Sequence, residues 1–509
     1  MSDTFSFQEA PHPTDVSIPH SSINGSFGGA EVGVFKSSST LFELINLWQV
    51  KFLSRDARGT TGVLSTRAMK LSSLALFDDC KGYAWLSSMA GYYNALTGNN
   101  TMTQIQMESH AQAVSNLREK FEHNSMSLPL LASLNSLISA EFAAGDYSTA
   151  AHHTKFLADE LDPRTTVHGG PLVHRIRHTV IILELERSMA SFSRPLFDLN
   201  AWIAHDQSQD LKASRTQASS IFFPPYAPSG FDHEALSDVR LVDVFTRMRH
   251  FDQILDQLAL ADTVGRSAAF QISWTALQLG NDILLHSLDL CATASQYSIP
   301  ASKFFNEEQL RHLRRSQYAA ASLALMFYFR FRTRSEHGGV ESTNSLALLE
   351  RFWSIGPSIA KRMETLMRHS QGSADLLVLH SQTYHAPSDC NCPDDDIAQI
   401  PKDVDPIIRL RLWVLYIGKC IEATARRGQR VRTSYFDDAL SNLCDGTFDV
   451  WLNATDRRQA LDRIVAGFFS VEHMAPLDGR SNIFLKQGPE WLSPALRTWG
   501  FANWDGELA

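Results

Sequence analysis

Three short stretches combine residue types that bind metals or transfer protons. The first, HAPSDCNCPDDD, places His385, Cys390 and Cys392 beside a run of aspartates. A Cys-x-Cys pair with a nearby histidine can bind zinc, but structural zinc sites use wider cysteine spacing and a second pair of ligands. The available cysteines, Cys420 and Cys444, lie in separate segments with a helical pattern. We therefore expect an acidic loop, with adventitious metal binding as the alternative and no resident cofactor.

The second stretch, HRIRH, places His174 and His178 one helical turn apart, which is a spacing that metal ligands use. Arg175 follows the first histidine at the position where a zinc protease has glutamate. No metallohydrolase is therefore indicated, and we expect both histidines to have a structural role.

The third stretch, NDILLHSLD, lies at Asn281–Asp289 and comes close to the second metal motif of terpene cyclases. Such enzymes need carboxylates on facing helices to hold magnesium and diphosphate. Leu285 replaces the required hydroxyl residue, and the only candidate for the first motif, PDDDIAQ, lacks its final aspartate. Nucleophile-elbow, phosphate-loop, dinucleotide-binding and zinc-protease motifs are also absent from the sequence. An all-α enzyme is therefore only a remote alternative.

The elements that would position these residues are helices. Apolar residues recur at three and four along most of the 509-residue chain, and alternation typical of strands is nearly absent. One example is LPLLASLNSLISAEFAAGDYSTAAHHTKFLADEL, where Gly145 and Asp146 separate two helices of a predicted αα-hairpin. The sequence predicts an all-α fold, with stacked helix pairs forming a curved helical array or two helical lobes.

Composition divides the chain into three parts. Residues 1–38 are rich in Ser, Gly and Pro and predict a disordered leader, whereas 39–490 predict a helical body. Residues 491–509 form an aromatic and acidic C-terminal tail. Loops are expected near residues 205–234, 333–345 and 381–405.

Membrane insertion and general DNA binding are both disfavoured. The longest apolar run, YAAASLALMFYFRF, is too short to span a bilayer and ends in arginines. The N-terminus has no secretory-signal pattern, so the six cysteines are expected to be reduced thiols. A formal net charge of −9 opposes general attraction to nucleic acid.

The segment PIIRLRLWVLYIGKCIEATARRG is apolar around almost its whole helical circumference and predicts a buried core helix. We expect its flanking arginines, Arg409 and Arg411 among them, to extend their charged groups into water. The aromatic side chains assigned to the structural core are Trp413, Tyr416, Trp451 and Phe468.

The segment RLWVLYIGKCIEATARRG and the following SYFDDALSNLCDGTFDVWLNATDRRQALDRIVAGFF resemble the C-terminal part of the fungal-specific transcription factor regulatory domain. This helical "middle homology" region occurs in zinc binuclear cluster proteins. ESHAQAVSNLREKFE and the αα-hairpin segment resemble its N-terminal part. The resemblance implies an all-α regulatory domain, a nuclear location and control of RNA polymerase II genes, often in metabolic or secondary-metabolite pathways.

The family's DNA-binding module, six cysteines around two zinc ions, has no counterpart in this sequence. The first cysteine is Cys80, and no basic residue precedes Lys36. Direct, sequence-specific DNA binding by this chain is therefore doubtful. A segment upstream of this sequence that carries the cluster would instead make the chain the body of a DNA-binding activator. We interpret ARRGQRVR as a solvated helix end, with a weak nuclear import signal as the alternative; its arginines are Arg426, Arg427, Arg430 and Arg432.

Two functional hypotheses follow. In the first, the chain is a transcriptional regulator that receives a small molecule or a protein partner on its helical body. In the second, it is a co-regulator or scaffold that heterodimerises with a zinc-cluster protein and does not contact DNA itself.

Overall fold

The computed structural model describes residues 79–97, 100–123, 127–164, 171–214, 232–259, 266–296, 305–335, 355–384, 404–425, 435–448, 460–465 and 468–469. These residues are 89% helical and include no strand. The predicted all-α fold is therefore confirmed for the described part of the chain.

We number the α-helices in chain order. They are α1 (Asp79–Thr97), α2 (Thr103–His123), α3 (Leu128–Ala144), α4 (Tyr147–Leu161), α5 (Pro171–Ser191), α6 (Leu199–Ser214), α7 (Val239–Ala259), α8 (Arg266–Ser295), α9 (Glu307–Ser335), α10 (Ile355–His369), α11 (Gln371–Tyr384), α12 (Pro406–Ala425) and α13 (Tyr435–Phe448). A 3-10 helix, His233–Ala235, precedes α7, and residues 460–465 are also helical.

Consecutive helices pack on one another along the chain. Helix α1 contacts α2 and α3, α4 packs on α3, and α5 joins this group to α6 and α8. Helix α9 then contacts α7, α8, α10, α11 and α12, and α13 closes on α12. The buried apolar side chains form one continuous cluster from Cys80 to Phe469. Within the described ranges the helices therefore share a single stacked core.

Helix α9 lies at the centre of this core because its middle turns are packed on all sides by other helices. Every residue of Tyr318–Arg330 is buried, and this range includes almost the whole of the longest apolar run in the sequence. Its start is fixed by a reciprocal cap: the Gln309 N–H donates to Asn306 Oδ1 at 2.9 Å, and the Asn306 N–H donates to Gln309 Oε1 at 3.1 Å. None of the described helices combines the length and apolarity that crossing a bilayer requires.

The predicted αα-hairpin of α3 and α4 is present. Gly145 ends α3 in the left-handed conformation, with φ of 73°, which a residue without a Cβ adopts at little cost. Asp146 then caps α4 by accepting a hydrogen bond from the Thr149 N–H at 3.0 Å. The hydrogen bonds from Thr149 lower the pKa of the Asp146 carboxyl below its ordinary value.

One predicted loop is partly wrong. Residues 205–214, assigned to a loop over 205–234, form the last turns of α6. Their sequence is polar, but Trp202, Ile203 and Asp206 of the same helix are buried against neighbours. A helix that buries a narrow face therefore has a loop-like composition along the rest of its surface.

The other predicted boundaries have mixed outcomes. Helix α9 continues through residue 335 and α11 through residue 384, so the first few residues of the other two predicted loops are helical. The leader at 1–38 and the tail at 491–509 lie outside the described residues.

Candidate functional site

A charged groove lies between α7 and α8. Its larger part has a volume of about 610 Å³, and a continuation of about 440 Å³ extends toward the start of α9. Arg240, His286 and Asp289 line both parts. We call this surface the α7–α8 groove; its other lining residues are Ser237, Asp238, Val239, Asp243, Val244, Arg247, Asp282, Leu285, Leu290, Thr293, Arg315 and Tyr318.

Asp238 fixes where α7 begins beside the groove. Its Oδ1 accepts a hydrogen bond from the Leu241 N–H at 2.9 Å, which is the geometry of an N-terminal cap. Next to it, the Ser237 backbone N–H donates to the Tyr318 hydroxyl of α9 at 3.2 Å. The first turn of α7 is thus anchored both to its own cap and to the central helix.

Arginines neutralise the carboxylates along the groove. The Arg247 guanidinium lies 3.1 Å from Asp243 Oδ2 and 2.8 Å from Asp282 Oδ2, so it bridges α7 and α8. Arg194, from the segment after α5, lies 2.5 Å from Asp289 Oδ1. The acids therefore converge on cations rather than on a common empty position. Among the described residues no group of three histidine, cysteine or acidic side chains is arranged to hold a metal ion.

His286 has an unusual environment in the groove. Its side chain is 8% exposed, and its buried Nε2 has no hydrogen-bond partner within the described residues. The nearest opposite charge is Asp238 Oδ1 at 3.8 Å. Burial lowers the pKa of the imidazole below its ordinary value; Asp238 acts in the opposite direction and Arg240 adds to the lowering. At neutral pH the ring is therefore uncharged.

Two of the predicted core aromatics, Trp413 and Phe468, lie together where α12 packs near α7. Trp413 and Phe468 are fully buried, their ring centroids are 5.3 Å apart and the rings are stacked. Phe245 of α7 meets the Trp413 ring edge-on at 5.4 Å, and Tyr416 is 6% exposed. Trp451 lies outside the described residues, as do Arg426, Arg427, Arg430 and Arg432 of the nuclear import hypothesis.

The expectation that the arginines of α12 reach water is wrong for Arg409 and Arg411. Arg409 is 3% exposed and pairs with buried Asp232, and its Nη2 lies 3.0 Å from Glu234 Oε2. This pair attaches the 3-10 helix to the core. Long-range carboxylate partners therefore allow the Arg409 charge to be buried.

Arg411 is fully buried with mainly neutral partners. Its guanidinium donates to the Met367 carbonyl at 2.9 Å, to Ser370 Oγ at 3.0 Å and to Gln371 Oε1 at 2.7 Å. These acceptors lie where α10 ends and α11 begins, so Arg411 holds the end carbonyls of α10. Burial lowers the pKa of this arginine to about 10.

The two histidines of HRIRH have packing roles, as expected. His174 Nδ1 lies 3.4 Å from Asp206 Oδ2, and the His178 ring meets Trp274 edge-on with centroids 4.8 Å apart. The Cys390 loop lies outside the described residues. The cysteines that the structure describes, Cys80, Cys291, Cys420 and Cys444, form no disulfide with one another.

The sequence patterns indicated only half of the α7–α8 groove. Asn281–Asp289 was singled out as a near-match to a metal motif, and Asp282, His286 and Asp289 do line the groove. The sequence patterns do not indicate Asp238 at the α7 cap or Arg240, Asp243 and Arg247 of α7. Their only local signal is the four-residue spacing of Asp243 and Arg247, which is also common on solvated helices.

Comparison with protein-family models, with curated proteins and with solved structures finds no match for this chain.

Proposed function

We propose that this chain is a transcriptional regulator of fungal type, whose helical body controls genes transcribed by RNA polymerase II. The observation that carries the proposal is where the resembling segments lie in the fold. Helices α2–α4 correspond to the N-terminal part of the resemblance, and α12 and α13 to the C-terminal part. Both sets contribute side chains to the same continuous core. The segments that resemble the regulatory domain therefore belong to one folding unit.

The regulator acts in the nucleus through protein partners, such as a DNA-binding protein or the transcription machinery. The formal net charge of −9 disfavours sequence-independent attraction to DNA, which depends on neutralising phosphates with lysine and arginine. The arginines Arg194 and Arg247 at the α7–α8 groove are already paired with carboxylates. The negative net charge and the already paired arginines leave little basis for direct DNA attraction. They support recruitment to DNA by a protein partner, so the co-regulator is the second candidate function.

An all-α enzyme has less support. Metal-dependent chemistry on a diphosphate needs carboxylates that remain available to the metal ion. In the α7–α8 groove, Asp243 and Asp282 share Arg247, and Asp289 is held by Arg194. The groove therefore provides a neutralised surface rather than an anionic metal cage.

A tethering experiment tests the proposal. The full chain is fused to a heterologous DNA-binding domain in yeast, and a reporter with the matching operator is measured. We expect reporter expression to change several-fold in either direction, and to return to baseline for Trp413→Ala, which disrupts the core. Arg118→Gln, an exposed change on α2, is the matched control and should behave as wild type. A nuclear, folded wild-type fusion that leaves the reporter unchanged would contradict the proposal.

A second measurement separates the two candidates. The purified chain is incubated with fragmented genomic DNA at low and at physiological salt, and retained sequences are compared with chromatin recovered with the chain from cells. Enrichment of one sequence by the chain alone would favour direct binding. Recovery of discrete loci from cells, without selection by the purified chain, would favour the co-regulator.

A further inference from the structure

The junction between the two parts of the α7–α8 groove carries a cation that lacks a partner within the described residues. Arg240 lies in the first turn of α7, is exposed, and forms no hydrogen bond or salt bridge in that part of the chain. The other groove arginine on α7, Arg247, is held by two carboxylates. Arg240 is therefore the α7 guanidinium that is available to an incoming anion.

A buried nitrogen lies at the same junction. The His286 side chain lines both parts of the groove and is 8% exposed, and its Nε2 lacks a hydrogen bond within the described residues. Leaving a buried polar atom without a hydrogen bond is unfavourable, and a suitably placed ligand oxygen would supply that bond. Asp238 cannot supply this bond at 3.8 Å.

The remaining groups define the shape of the ligand. The Ser237 and Tyr318 hydroxyls bond to each other at 2.5 Å and form a polar wall, and Leu285 and Leu290 supply apolar surface along α8. Asp238 adds negative charge nearby, which disfavours a doubly charged anion such as a phosphate dianion. A singly charged head group with a short apolar body satisfies these features together.

We propose that the junction between the two parts of the α7–α8 groove binds the carboxylate of a small monocarboxylic acid. The Arg240 guanidinium pairs with the carboxylate, because its planar fork matches two carboxylate oxygens. His286 donates its Nε2–H to one oxygen, and the aliphatic body of the acid lies along Leu285 and Leu290. The site extends beyond the proposed function and does not depend on it, because binding is measured on the purified chain without transcription.

The site also predicts a pH dependence. A bound anion favours the protonated imidazole, so affinity should increase as the pH falls through the titration of His286. The charged groups around this ring are Asp238, Asp243 and Arg240 on α7 or at its cap, and Asp289 on α8. Arg315 of α9 lines the same part of the groove and, like Arg240, disfavours the protonated ring. The acids act with the ligand in favouring the protonated ring, whereas Arg240 opposes them.

The test is calorimetric titration of the purified full chain with butyrate at constant ionic strength. We expect saturable binding with a Kd of about 1 mM, the range for so small a ligand. Arg240→Gln, an exposed change that leaves the core intact, should weaken binding about tenfold, since a hydrogen bond to a charged group is lost. His286→Gln should remove the increase in affinity at lower pH. Arg118→Gln should bind butyrate as wild type does.

Several results would overturn the site. These are absence of saturable heat, wild-type affinity in Arg240→Gln, and inorganic phosphate binding as tightly as butyrate. Circular dichroism of each variant establishes that it is folded before titration. A failed titration leaves the reporter result untouched, so failure of the ligand site and failure of the transcriptional proposal are distinguishable.

Discussion

Replacing Trp413 with alanine should destabilise the fold more than most single substitutions. The side chain is fully buried among Phe245, Phe468 and Phe469. A buried tryptophan removes roughly 200 Å² from water, and about 25 cal/mol per Å² converts this to about 5 kcal/mol. Alanine retains part of that burial, and the unfolded chain is itself partly compact, so we expect a loss of about 3–5 kcal/mol.

A phenylalanine at the same position provides the matched comparison. The Trp413 indole N–H is buried without a hydrogen-bond partner within the described residues, and burying such a group costs about 1–3 kcal/mol. Trp413→Phe keeps an aromatic ring and removes that N–H, so its net loss should stay below about 1.5 kcal/mol. Urea unfolding followed by circular dichroism measures both variants. Equal losses, or an alanine variant that unfolds as wild type does, would refute the assignment of Trp413 to the core.

Three further predictions concern backbone space, a buried charge pair and pH. A Cβ on Gly418 would lie 2.2 Å from a phenylalanine ring of α13, so Gly418→Ala should cost about 1–3 kcal/mol. A Cβ on Gly372 would meet nothing within 4 Å, so Gly372→Ala should raise the free energy of unfolding by about 0.5–1 kcal/mol. Urea midpoints of the two glycine variants that move in the same direction would contradict these two predictions. Arg409→Ala should lower the free energy of unfolding by about 3–5 kcal/mol because it leaves the Asp232 carboxylate buried without its arginine. A loss below about 1 kcal/mol in the same assay is typical of a solvent-exposed ion pair and would contradict the burial of this one. Burial lowers the pKa of His286, so the unfolded chain binds more protons in acid and stability should fall as the pH drops below about 6.5. Melting temperatures between about pH 7.5 and 5.5 should then fall less in His286→Gln than in wild type, and an equal fall would count against the buried neutral imidazole.

Local patterns were sufficient to predict the all-helical class and one of its most buried helices. The apolar circumference of α12 indicated a core helix, and every residue from Ile407 to Ile421 is buried. The fate of its arginines was not predictable in this way. Arg409 pairs with Asp232, which lies 177 residues earlier in the chain. Nothing near Arg409 in the sequence reports that partner, so exposure was the expected default for a charged side chain.

For the α7–α8 groove, too, the sequence indicated individual residues but not the partners that they contact in the fold. Asp282 and Asp289 attracted attention because acidic residues at helical spacing on α8 resemble metal ligands. Their chemistry depends on Arg247 of α7 and Arg194 after α5, which approach only when the helices pack. Sequence spacing therefore identified residues of the groove, but the pairing that neutralises them required the structure.

The most direct test of the central claim is rapid depletion of the protein in cells, followed by measurement of nascent RNA. If the chain regulates transcription, synthesis of a limited set of RNA polymerase II transcripts should change before other cellular effects, and Arg118→Gln protein should restore it. Nascent transcription that stays unchanged after complete depletion, under conditions in which the protein is expressed, would contradict the account.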